Sequence, residues 1–136
     1  MKESQVGESS IRYRATFVIQ GENLDLEAIS SMLKLSPTHT HRKGDLSRLR
    51  EAYPHDMWSL TAPISKDEPL DSHLRWLSTQ LEPSRDFIIA LKDNADIYIY
   101  CGYTVDSGQS EFSISPEALA IFVKLDISMD MNVLFV

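Results

Sequence analysis

Apolar residues recur along this chain at two spacings, and those spacings divide it into strands and helices. From Ile11 to Gln20 they alternate: Tyr13, Ala15, Phe17 and Ile19 point one way, Arg12, Arg14, Thr16 and Gln20 the other. A period of two rich in aromatic and branched side chains predicts a strand with one buried face, which Gly21 ends. Asp25 is placed to cap a helix whose apolar stripe is Leu26, Ile29, Met32 and Leu33, stopped by Pro37. Residues 38–56 are polar and carry no period, with a turn at Lys43-Gly44-Asp45. Asp56 to Ala62 is strand-like, with Trp58 and Leu60 on one face.

Pro69 suits the first turn of a second helix, in which Leu70, Leu74, Leu77 and Leu81 form one seam until Glu82-Pro83 interrupts it. Ser84 to Lys92 fits a short helix or a buried strand; Asp93-Asn94 reads as a helix end and favours the first. Asp96 to Val105 is the clearest strand, with Ile97, Ile99, Cys101 and Tyr103 on one face and Tyr98, Tyr100 and Thr104 on the other. A loop containing Gly108 follows, then an extended piece at Phe112 and Ile114. Ser115-Pro116-Glu117 starts a helix running to about Leu125: a capping hydroxyl, a proline at the first helical position, and a carboxylate near the positive end of the dipole. Ile127, Met129, Met131, Val133 and Phe135 alternate as a last strand.

The segment Glu27–Leu35 lies on Glu117–Leu125 without a gap, with identical residues at the Glu, Ala, Lys and final Leu positions. Both segments follow an alternating strand and carry a polar cap two residues ahead of their Glu, which suggests a duplicated strand–helix–strand unit. Either unit alone leaves a sheet face and a helix stripe bare, so the two halves must share one core. The predicted fold is α+β: a two-layer sandwich with a mostly antiparallel four- to five-stranded sheet and helices on one face. Ferredoxin-like pseudo-duplicated halves, with the Leu70–Leu81 helix inserted between them, are its simplest description. Residues 1–10 form a polar lead-in, and 11–136 a single domain.

Composition narrows this picture without giving it a function. The 136 residues suit one domain, and 43% hydrophobic with 24% charged is ordinary for a globular chain. Cys101 is the only cysteine, which rules out an intramolecular disulfide. The first ten residues lack a signal-peptide apolar stretch, and no apolar run approaches the roughly 20 residues that span a bilayer. A cytoplasmic protein with no membrane partner is the expectation. The net charge of −7 repels nucleic acid and favours a basic partner at long range.

Gly21, Ile29-Ser30 with Leu33 and Leu35, Pro37-Thr38, Lys43-Gly44, Trp58, His73-Leu74 with Leu77 and Leu81, Pro83, and Ser115 with Glu117 and Leu119 keep one order and spacing. In that order they resemble an uncharacterised bacterial family, a domain of unknown function, over about residues 12–135. The resemblance implies no activity, cofactor or catalytic residue. The His-Thr-His run after Thr38 lies outside the pattern.

Candidate chemistry is correspondingly sparse. On a strand, His39 and His41 would project to one side and could grip zinc or nickel, but a catalytic metal needs a third ligand that no spacing supplies. His73 borders the leucine seam, and Cys101 falls on a core face; both read as structural. No glycine-rich phosphate loop or nucleophile elbow is present. Tyr98 and Tyr100 lie opposite the core residues of their strand, as Arg12 and Arg14 do on theirs, so neighbouring strands would join them in an aromatic–cationic patch suited to protein contact. The expected function is a non-catalytic protein-binding module without metal or cofactor, one version being immunity-type neutralisation of a basic toxin. The alternative is a small metal-dependent hydrolase using His39 and His41.

Overall fold

Strand β1, Arg12–Gly21, is the spine of the computed structural model, which describes residues 11–106 and 110–136. Its odd-numbered side chains Ala15, Phe17 and Ile19 are fully buried, as the alternation predicts. Helix α1, Leu26–Leu33, follows; Asp25 Oδ1 accepts the Ala28 N–H at 3.0 Å, satisfying one of the helix's orphan donors. Lys34, in the left-handed region at φ 59°, ends α1 before Pro37 is reached. Met32, expected on the buried stripe, is 56% exposed; Ile29 and Leu33 alone are buried.

Two further strands come next, β2 at His39–His41 and β3 at Asp56–Thr61. The leucine seam forms helix α2, Leu70–Leu81, with Pro69 as its cap residue. All four seam leucines are fully buried, each worth about 1.5–3 kcal/mol of transfer free energy. A 3-10 turn at Glu82–Ser84 leads into helix α3, Arg85–Leu91, the short helix favoured over a strand for residues 84–92. Strand β4, Ala95–Val105, helix α4, Pro116–Leu125, and strand β5, Ser128–Phe135, complete the chain. Ser115 Oγ accepts the Ala118 N–H at 3.2 Å, as the capping signal predicts. Phe112 and Ile114 form no strand; Phe112 packs edge-on against Tyr13 and Tyr103.

The five strands lie in the order β2-β3-β1-β4-β5, with one parallel pair, β4–β5, and three antiparallel pairs. The α+β class, the mostly antiparallel sheet and the helices on one face are as expected. The ferredoxin-like pseudo-duplicated arrangement is not what forms. That topology separates the parallel strands of each half by a strand of the other half. Here β1 pairs directly with β3, antiparallel, and β4 directly with β5, parallel, so the halves differ in chain direction. The helix echo fails for a related reason. Matching Glu27–Leu35 to Glu117–Leu125 sets buried Ile29 and Leu33 on Leu119 and Val123, which are 43% and 84% exposed. The buried faces and left-handed ends correspond two residues later, Ile29 with Ile121, Leu33 with Leu125 and Lys34 with Asp126.

One hydrophobic cluster serves the whole fold. It joins Ala15, Phe17 and Ile19 of β1, Trp58 and Leu60 of β3, and Ile97, Ile99 and Cys101 of β4 to the inner stripes of α1, α2, α3 and α4. Trp58 is fully buried, meets Phe17 edge-on, and donates its indole N–H to Ser30 Oγ at 2.9 Å, which leaves its one polar atom satisfied. Among the described residues no helix is long and apolar enough to cross a membrane.

Candidate functional site

With the helices gathered on one side, the opposite sheet face is left to the even-numbered residues of β1 and β4 and the odd-numbered residues of β2 and β3. Register arranges them in rows. His41, Met57, Gln20 and Asp96 form one row, and His39, Ser59, Val18, Tyr98 and Ser128 the next. Thr61, Thr16, Tyr100 and Asp130 follow, then Arg14, Gly102 and Asn132, then Arg12, Thr104 and Leu134. Thr16 and Thr61 share a hydrogen bond at 2.8 Å, and Tyr98 OH donates to Gln20 Oε1 at 3.2 Å.

β1 and β4 are neighbours, so Arg12, Arg14, Tyr98 and Tyr100 do occupy one face, with both arginines exposed and both tyrosines half-buried. They are not one cluster. Arg12, Arg14 and Tyr100 surround a hollow of about 200 Å3 with Gly102 at its centre, whereas Tyr98 stands a row away, bound to Gln20. Burial, then the negative charges of Asp130 and Asp96, hold the Tyr98 phenol above its ordinary pKa, so it remains a neutral donor. Tyr13, Lys66, Thr104 and Asn132 complete the hollow; alternation places Thr104 on this face, whereas nothing in the sequence signals Lys66 or Asn132. Lys66 belongs to the loop before α2, and Tyr13 N–H donates to its carbonyl at 3.0 Å, continuing the edge of β1 beyond the end of β3. A wider concavity of about 520 Å3 opens at the far end of the face, where Glu22, Asp93 and Asp96 mix with Lys92 and His55.

The histidines lie at the β2 edge of the same face. His39 and His41 do project to one side, and His39 Nε2 stands 2.9 Å from His41 Nδ1, so one ring nitrogen donates to the other. The His41 ring stacks on Tyr53 with centroids 3.4 Å apart, which buries it. Burial first, and His39 second, lower its pKa. Among the described residues no group of three or more His, Cys, Asp and Glu side chains is disposed around a common metal position. Arg42 and Lys43 are engaged next door. Buried Asp56 accepts Lys43 N–H at 2.7 Å, Leu24 N–H at 2.9 Å and Arg42 Nη1 at 3.2 Å, and those backbone donors lead in holding its carboxyl below the usual range.

His73 and Cys101 are core residues. His73 is 1% exposed, its Nε2 lies 3.2 Å from the Glu68 carbonyl oxygen, and burial lowers its pKa. The Cys101 thiol is fully buried and pushed up to about 12, mainly by burial and further by Asp130, so it is no nucleophile at neutral pH.

A protein-family model matches residues 11–135, nearly the whole of the chain; its description, Domain of unknown function (DUF4279), states no activity. No curated protein and no solved structure matches the chain.

Proposed function

The chain belongs to the DUF4279 family, and because that membership carries no activity we propose a function from the geometry alone: a non-catalytic binding module that takes a protein partner on its uncovered sheet face. The supporting observation is the meeting of Arg12, Arg14 and Tyr100 around one hollow on a face that no described helix covers. Tyrosine and arginine combine apolar contact area with directed donors, the residue chemistry enriched at interface centres. The flanking rows, with Thr16, Val18 and Ser59 already buried, give a preformed surface that costs little ordering on binding.

A net charge of −7 biases whole-molecule encounter towards a basic protein. The field at Arg12 and Arg14 is locally cationic, so the group that docks there is acidic. The hydrolase alternative rests on two nitrogen ligands and asks for a third that the described residues do not bring to them.

Affinity capture from the host extract tests the reading with three baits: the native chain, Arg14→Ala/Tyr100→Ala, and Leu119→Ala/Val123→Ala on the outer side of α4. A stoichiometric partner retained by the first and third baits and lost by the second supports it. Loss on the α4 variant instead, or no partner on any bait, overturns it.

A further inference from the structure

We propose that the Gly102 hollow is a carboxylate-binding subsite, which receives an aspartate or glutamate side chain from an acidic segment of the partner. The inference rests on the open-face reading and adds the chemistry of the group that docks.

Three basic residues from two different parts of the chain line the hollow. Arg12 and Arg14 project from alternate positions of β1, about 7 Å apart along the strand, and Lys66 comes from the loop before α2. Among the described residues that line it there is no carboxylate; Tyr100, Thr104 and Asn132 add neutral donors. Guanidinium forks match the two oxygens of a carboxylate, and a charge-assisted bond of this kind is about twice as strong as a neutral one.

The space itself is produced by the absence of a side chain at Gly102, between Tyr100 and Thr104 along β4 and between Arg14 and Asn132 across the sheet. A Cβ built there meets only Arg14 Cβ, at 3.9 Å, and Gly102 is not among the residues with positive φ. Neither backbone conformation nor close packing therefore requires glycine here. What glycine provides is room, about 200 Å3, which suits one small charged group. On the core side Tyr13 stacks on Tyr103 with centroids 5.4 Å apart, and Phe112 closes edge-on, so the floor is held before any ligand arrives.

A single carboxylate suits the surroundings better than a polyanion does. Asp130 pairs with Tyr100 in the row beside the hollow, and Asp96 lies further along the same face. A nucleic-acid backbone following the sheet would meet both carboxylates, whereas one acidic side chain entering beside Arg14 stays a row away from Asp130 and farther from Asp96.

The test follows amide shifts of the full chain by NMR during titration with a blocked pentapeptide carrying one central glutamate. Its glutamine counterpart, inorganic phosphate and a single-stranded RNA are titrated in parallel. Saturable shifts at residues 12–14, 102–104 and 132 with the glutamate peptide, roughly tenfold weaker with glutamine, support the proposal. Gly102→Val fills the hollow and leaves every cation in place, and Arg14→Ala removes one cation and leaves the hollow; each weakens the glutamate peptide about tenfold. Equal binding of the two peptides, tighter binding of phosphate or RNA, full binding by Gly102→Val, or no saturable shift overturns it. Partner capture that survives Gly102→Val and is lost in Arg14→Ala/Tyr100→Ala refutes the hollow and leaves the open-face reading standing.

Discussion

Replacing Cys101 with alanine tests how deeply β4 is sealed, through the alkaline side of the stability curve. The native thiol is pushed from 9.0 to about 12 by burial first and by Asp130 second. Between those values the unfolded thiol gives up its proton while the folded one keeps it. The folded state then binds more protons, and stability falls as pH rises, by about 1.4 kcal/mol per pH unit. Summed from about pH 8 to pH 10.5, the thiol removes about 2 kcal/mol from the native chain and nothing from the alanine variant. Tyrosines and lysines titrate in both proteins and cancel in the comparison. Urea unfolding of the pair at both pH values measures this, with the native chain's advantage at pH 8 shrinking by that amount. At pH 8 only about one in ten thousand native thiols is ionised, so a disulfide reagent should modify Cys101 only as fast as the protein unfolds. A stability difference that does not change with pH, or prompt labelling of the folded protein, would refute the reasoning.

Leu77→Ala should cost about 2–5 kcal/mol in urea unfolding, because a fully buried side chain leaves a cavity between α2 and the sheet. Val123→Ala, at 84% exposure on α4, should stay within about 0.5 kcal/mol. His41 and His73 both have lowered pKa values, led by burial, so the unfolded chain takes up protons first as pH falls below about 6.5. Stability should drop from there, and His41→Gln should flatten that slope in thermal melts at pH 7, 6 and 5. Asp56 accepts hydrogen bonds from Leu24, Lys43 and Arg42. Its contribution is present above about pH 4 and lost as pH falls through its depressed value. Asp56→Asn should lower the melting temperature at pH 7 and narrow the gap to the native chain at pH 3.

Elements whose pattern is set by one buried face were legible in the sequence. The alternation of β1 and β4, the α2 seam, and the Asp25 and Ser115 caps all describe local geometry against a single core, and each side chain lies on the side its period assigns. What depends on pairing was not legible. β2 has three residues, too few for a period, and exists because Thr38 and His39 bond to β3. The parallel sense of β5 and the broken symmetry of the halves follow from how α4 returns the chain, which alternation cannot encode. The candidate site divides in the same way. Arg12, Arg14, Tyr98 and Tyr100 were assigned to one face by period two, which also covers Gly102, while Lys66 and Asn132 join them only through a loop contact and register.

Hydroxyl-radical footprinting of the chain bound to its captured partner tests the open face most directly, since it reads side chains on both sides of one sheet. Tyr98, Tyr100 and Met57 should become protected, while Met32 on α1 and Leu119 on α4 oxidise as they do in the free protein. Protection at Met32 and Leu119, with the tyrosines still reactive, would place the partner over the helices and contradict it.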